Sequence, residues 1–465
     1  MKVQAIHNYN NIRFQYKPVQ ETDSAAVSDD KKKLISLVGG AAILGATIAC
    51  CIYYKTQNRF INELAQDLSK ELNQKITPKH LRSVMTKEQL LKELPLLKEE
   101  NYVASVENIK KGIFIADLHS HTNYSDGTIT VSDFLAQAVE YGDKLIKING
   151  KKFIVALSDH DGVEGVKEAL KLIVQDPDKY KNIKFVPAVE LSYLQLSSKN
   201  SERFKRFGEE EGMSEMLVYG INPFSETTKK FFNELYLKRI MQVKKAIEDA
   251  CFLMPEAEFS FKEYTQFFNP QHKYCFLNQH WKVWNYLHTK QRIAAVAKEQ
   301  KINSEDLYRV IGRDLKCRDR LNPYFLNEFF VKRKIETSSE MYADKIVDLM
   351  QGKYFPKKGQ DGKLDFVFEN TFEDLVQYAQ AEDAVMGIPH PGFLMQCFEM
   401  KDIFEQVNNF VKKSGGRLKL IEKYHQAYPI GRAIEQSELE QYNKIADKID
   451  LIKMGGRDNH STRLI

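Results

Sequence analysis

Five separate apolar, strand-like runs of this chain each end in a residue able to bind a metal ion. Ile113–Ala116 leads into Asp117-Leu118-His119-Ser120-His121, Phe153–Leu157 into Ser158-Asp159-His160, and Phe185–Val189 into Glu190. Ala384–Ile388 leads into Pro389-His390-Pro391-Gly392, and Leu451–Met454 into Gly455-Gly456-Arg457-Asp458-Asn459-His460. Groups so far apart in the chain, always at the same end of a strand, converge only if the strands lie side by side with that end level. The C-terminal mouth of a parallel β/α barrel gathers its site in this way. The pattern therefore predicts an α/β fold in which strands and helices alternate and the ligands share one face.

The residue types fit metal chemistry. His119 and His121 are two apart, which on an extended chain puts both imidazoles on one face. Asp126 follows in the loop Tyr124-Ser125-Asp126-Gly127-Thr128, where a carboxylate can reach a second ion. His160 closes the next run, and Glu190 closes the third, where a shared carboxylate reduces the repulsion of two cations. His390 is held by the turn Pro391-Gly392, and Asp458 and His460 repeat the spacing of two. Any one of these pieces alone is more often a surface pair or a core histidine. Together they are not: of the 11 histidines, His119, His121, His160, His390 and His460 fall at strand ends. His7, His80, His272, His280 and His288 follow no comparable run. Histidine and carboxylate ligation without thiolate suits zinc, manganese or iron, and the expected class is a metal-dependent hydrolase.

With those motifs in order, the chain resembles the polymerase and histidinol phosphatase (PHP) superfamily over residues 111–465. The resemblance implies a distorted (β/α)7 barrel with metal ions at its C-terminal mouth and phosphoester hydrolysis by a metal-activated water. It implies that His119, His121, Glu190 and Asp458 hold one ion, and that Asp126, His160 and Glu190 hold a second, with Glu190 bridging. His390 and His460 match ligand or phosphate-contacting positions, and either could protonate the leaving oxygen. Two departures stand out. The strand after Glu190 reads Glu215-Met216-Leu217-Val218-Tyr219-Gly220 where many members carry a histidine, so two divalent ions are expected rather than three. Arg457 stands where a small residue usually precedes the aspartate; it is either a surface side chain or a contact to a substrate phosphate.

Phosphomonoesters are the expected substrates, with nucleotide or oligonucleotide-end phosphates favoured, because members with a helical insertion include nucleotide phosphatases. The alternatives are a histidinol-phosphatase-like or exonuclease activity, and a catalytically idle membrane-tethered binding module. Ile421-Glu422-Lys423-Tyr424-His425 ends one more candidate strand, similar to an Ile-Glu-Val segment of related phosphoesterases.

Elsewhere the pattern changes. Residues 1–33 are polar and aperiodic and read as a disordered tail. Residues 34–54 carry no charge in 21 positions, enough at about 1.5 Å per residue to span a hydrocarbon core of about 30 Å. A single uncleaved membrane anchor is the expectation, with Lys31-Lys32-Lys33 favouring a catalytic part on the outer side. Residues 55–110 have helical periodicity and read as a linker. Residues 225–380 are rich in helical pattern and read as an insertion in the barrel. The formal net charge of +5, with Lys and Arg interspersed among Asp and Glu, predicts no stable nucleic-acid complex. The six cysteines show neither CxxC nor zinc-knuckle spacing, so a thiolate metal site is not expected.

Overall fold

Phe153–Leu157 is an unbroken apolar run, and it forms a strand (β2) with every residue buried, as a strand covered on both faces must be. This computed structural model describes residues 59–97, 114–196, 211–253, 258–267, 280–304, 306–307, 370–389, 400–422 and 436–460. The expected tail (1–33), the expected membrane span (34–54) and His390 lie outside them. Among the described residues no helix is long and apolar enough to cross a membrane.

Around β2 lie β1 (Ala116–Asp117), β3 (Ile183–Leu196), β4 (Glu211–Tyr219), β5 (Val385–Ile388), β6 (Leu418–Glu422) and β7 (Ile452–Met454). They form one seven-stranded sheet in sequence order. Its two ends meet beyond the strands: Leu118 N donates to Gly455 O at 3.0 Å, His121 N donates to Asn459 O at 3.0 Å, and Ser120 bridges Asn459 in parallel. The fold is thus α/β and barrel-like, with β1 and β7 brought together where the ligand-bearing segments leave them.

Two features differ from a uniformly parallel barrel with Glu190 at a strand end. β1–β2–β3 and β5–β6–β7 are parallel, but β4 runs antiparallel to both neighbours. A parallel pair needs a crossover that returns the chain to the starting end, whereas Glu211 opens β4 directly beside Leu196 at the end of β3. β3 also continues past the predicted stop at Val189, so Glu190 sits within the strand rather than after it. It still lies at the mouth, because β1 and β2 end lower and His160 bridges Glu190 in parallel.

Alternation of side chains sorts the core into layers. Phe153, Val155 and Leu157 face outward with Ile183 and Phe185. They pack against the helices Val131–Asn149 and Glu164–Gln175, through Phe134, Leu135, Val166 and Leu170 among others. Ile154 and Ala156 turn the other way, toward Ala116, Val186, Leu217, Leu420 and Met454. Thr130 starts the first of those helices by accepting from Asp133 N, and Gly150 ends it in the left-handed conformation (φ 68°), as glycine commonly does.

The segment before β1 is part of this core. Leu64 and Leu68, on the helix through residues 59–72, are fully buried in the outer layer, each stabilising the fold by about 1.5–3 kcal/mol. Helix Lys87–Glu93, capped by Thr86 and Gln89, places Leu90 and Leu94 among the inner side chains. Met85 N donates to Phe185 O near the start of β3, so this segment closes the barrel end opposite the ligands. Between β4 and β5 run the helices Glu226–Leu253, Phe261–Phe267 and His280–Gln300. Helix Phe372–Ala381, with a Thr371–Asp374 capping box, packs Phe372, Leu375 and Val376 against the sheet beside β3, β4 and β5.

Candidate metal centre

Once β1 ends at Asp117, the chain runs extended across the barrel mouth, and His119 and His121 both project into it. Their Nε2 atoms are 3.0 Å apart. Glu190 Oε2 lies 2.9 Å from the first and 3.2 Å from the second. Asp458 Oδ1, from the segment after β7, lies 3.0 Å from His121 Nε2 and 3.5 Å from His119 Nε2. Four donors from three segments thus converge on one point. Ligand atoms held about 2.0–2.2 Å from one ion must lie roughly 3 to 3.5 Å from one another, and these separations fall in that range. Two imidazole nitrogens that face each other among carboxylates suit a shared cation, so the residues present fit a divalent metal.

A second group joins Asp126, His160 and His460 with the other nitrogen of His121. Asp126 Oδ1 is 3.0 Å from His460 Nε2, 3.7 Å from His160 Nε2 and 4.0 Å from His121 Nδ1. The His121 ring stacks on both the His160 and the His460 ring, with centroids 4.4 Å from each. The loop carrying Asp126 is tied to the end of the chain that carries His460, for Thr128 N and Oγ1 both donate to His460 O, at 3.1 and 2.9 Å. A third group consists of His160, Glu190 and Glu215. Glu190 thus belongs to the first and the third group, the latter with Glu215, while Asp126 gathers with His460. The difference follows from depth: Glu190 is buried within β3, whereas Asp126 hangs from the rim.

The side chains around these donors orient them. Glu422, buried at the end of β6, lies 2.8 Å from His119 Nδ1, which leaves Nε2 aimed at the cluster; such carboxylate–histidine pairs fix a ligand's tautomer and direction. Asp159 resembles a ligand in sequence yet holds the turn instead. Its oxygens accept from Thr122 N and Oγ1 and from Ser125 Oγ at 2.7–2.8 Å. Asp458 has φ 49°, a conformation that a non-glycine residue keeps only when its surroundings impose it. Gly456 leaves room for no side chain: a Cβ there would lie 2.5 Å from Glu422 Oε1 and closer still to His119 Cβ. Replacing Gly456 with alanine is expected to displace His119 and Glu422, to weaken metal binding, and to cost about 1–3 kcal/mol through overpacking. A denaturant melt and a metal titration on that variant check both effects.

Arg457 is engaged elsewhere. Its Nε donates to the buried Asp117 Oδ2 at 2.8 Å and its backbone N to Oδ1 at 3.2 Å. Its guanidinium carbon lies 5.7 Å from the centre of the Phe114 ring. This pair uses Nε and leaves the Nη donors of the guanidinium outside it. His390 and His425 lie outside the described residues. Glu215 gives no sequence signal of its own; only its pairing with Ser192 across β3 and β4 places it beside Glu190.

Charge and burial set the protonation of these side chains. Burial disfavours the imidazolium of His121, but hydrogen bonds and charge from Asp458 and Glu190 outweigh it and raise the pKa to about 10. Burial likewise opposes the charged form of His119, and Glu190, Glu422 and Asp458 overcome it, raising the value well above the ordinary one. In His160 burial prevails over Glu190 and Asp126, lowering the pKa to about 4. Burial pushes the Asp126 carboxyl up, yet His160, His460 and His121 hold it well below the usual carboxylate range. A raised histidine pKa contributes stability that is complete below the unfolded value of about 6.5 and is lost as pH rises toward about 10. Ligation needs the neutral ring. Adding zinc to the metal-free chain at pH 7 should thus release protons, and affinity should rise with pH. Calorimetric heats in two buffers of different ionisation enthalpy should differ; identical heats would contradict the assignment.

No family model matches this chain, and no curated protein matches it. Several solved structures are similar in part. One is a candidate metal-dependent phosphoesterase from Bifidobacterium adolescentis, at 15% identity and TM-score 0.39, covering 74% of this chain and 87% of that one. Another is an amidohydrolase from Chromobacterium violaceum with bound sulfate and no metal, at 15% identity and TM-score 0.38, covering 75% and 88%. At these scores neither decides the activity, which has to be argued from the site.

Proposed function

We propose that the chain is a metal-dependent phosphoesterase of the PHP type that hydrolyses phosphomonoesters, nucleotide or oligonucleotide-end phosphates being favoured. The observation that carries this reading is the four-donor group His119, His121, Glu190 and Asp458, in which the two histidine nitrogens lie 3.0 Å apart and 2.9–3.5 Å from the carboxylate oxygens. Two ions are proposed, one in that group and one at Asp126 and His160, with Glu190 shared between them. Bound there, they would supply Lewis acidity and lower the pKa of a water.

The protein's own residues define the approach. The side chains of His119, His121 and Glu190 are inaccessible, while those of Asp126, Asp458 and His460 are 16%, 18% and 33% exposed. Substrate would therefore enter from the Asp126–His460 rim. Glu422 keeps His119 pointed at the cluster, and the Asp159 contacts keep the His121–Ser125 turn closed against water. His460 Nε2, 3.0 Å from Asp126, is on the open side, within reach of a leaving oxygen, and is the proposed proton donor. Residues 34–54 are proposed to tether this activity to a membrane, with the catalytic part outside.

The purified full chain should cleave p-nitrophenyl phosphate in the presence of manganese, zinc or iron, and should cleave bis(p-nitrophenyl) phosphate more slowly. Hydrolysis of p-nitroacetanilide with no phosphatase activity would overturn the phosphoester reading and leave the metal centre standing.

A further inference from the structure

The long helix Glu226–Leu253, which lies in the connection between β4 and β5, reaches the loop that carries His160. Arg239 Nη2 donates to Asp161 Oδ2 at 3.1 Å, and both side chains are almost wholly buried. Asp161 is the residue after His160, and it is fixed on every polar atom named here. Its Oδ1 accepts from Ser192 N at 2.8 Å, and its own N donates to Glu190 O at 2.8 Å. Its φ is +46°, a left-handed conformation that aspartate tolerates but that needs its surroundings to hold it. Beside the pair is a cavity of about 150 Å³ lined by Asp161, Val163, Lys167, Phe232, Tyr236 and Arg239. The loop has space to relax into on that side, so packing alone does not hold it.

We propose that Arg239 is a positioning residue for the His160 side of the cluster, with the buried Arg239–Asp161 pair holding the loop that presents His160 to Asp126 and Glu190. Taking away the guanidinium removes a buried counter-charge from the Asp161 carboxylate. The loop then gains by turning Asp161 outward, and His160, one residue earlier, turns with it. None of the donors His119, His121, Glu190 and Asp458 comes from this loop. The inserted helix is thereby tied to one metal position and not to the other. This rests on the metal-centre reading above.

The test uses the full chain and its Arg239→Met, Arg239→Lys, Arg239→Met/Asp161→Asn and His160→Ala variants. Each is titrated with zinc against a chelator of known affinity, and its thermal unfolding is recorded. Arg239→Met should reproduce the pattern of His160→Ala, with one ion retained at wild-type affinity and the other weakened by about 10- to 100-fold, the range for residues supporting a ligand. Arg239→Lys should fall between, and Arg239→Met/Asp161→Asn should recover part of the loss, because no buried charge is left uncompensated. Wild-type affinity for both ions in Arg239→Met would overturn the proposal. So would equal loss of both ions without recovery in the double variant, since that is a purely structural effect. If the unaltered chain binds no zinc, the metal-centre reading itself has failed, an outcome separate from the other two.

Discussion

Replacing His121 with alanine is expected to remove phosphatase activity and to abolish tight binding of at least one ion. His121 is placed to serve twice: Nε2 faces His119, Glu190 and Asp458, and Nδ1 faces Asp126. Its ring also stacks against those of His160 and His460. Truncation leaves a hole among carboxylates that the neighbours cannot fill without abandoning their own donors. Loss of an orienting residue outside a metal typically costs 10- to 100-fold. A direct donor should cost more, roughly a hundredfold or beyond in kcat/KM. Steady-state kinetics with p-nitrophenyl phosphate, alongside metal analysis of the same sample, checks this. Activity within a few-fold of wild type would remove the central group from the account.

The second large effect is expected at Glu422, which touches the cluster only through His119. Glu422→Gln keeps an oxygen that can accept from Nδ1 but removes the charge that favours its proton. Glu422→Ala removes both. Metal affinity should therefore fall in the order wild type, Gln, Ala, by about 10- to 100-fold in total. The alanine variant also leaves His119 Nδ1 buried without its partner, at a cost of about 1–3 kcal/mol. Chelator competition and a denaturant melt read the two effects separately. Equal affinity in all three proteins would mean that Glu422 supports the fold alone.

The chain made some of this legible and hid the rest for physical reasons. Strand-end histidines stand out because a short apolar run followed by His or Asp is a local pattern. β2 accordingly begins and ends where the sequence places it, and His119, His121, His160, Asp458 and His460 come together. Glu215 and Arg239 carry no local mark. Glu215 enters the cluster only through the antiparallel register with β3, and Arg239 only through the docking of a helix far along the chain. Glu422 did have the mark, since it ends the run Leu418–Glu422, but it reads as one more strand-end carboxylate until the structure puts it on His119 Nδ1. The pairing of Arg457 with Asp117, distant in sequence, carries no local mark either. The direction of β4 was likewise invisible, because its apolar pattern is the same whichever way the strand runs.

The most direct test of the account is the metal content of the purified full chain, measured after exposure to manganese, zinc or iron and removal of excess ion. Two divalent ions per chain are predicted, falling to one or fewer in His121→Ala. A chain that keeps no divalent ion under any of these conditions would contradict the reading of the barrel mouth as a metal centre.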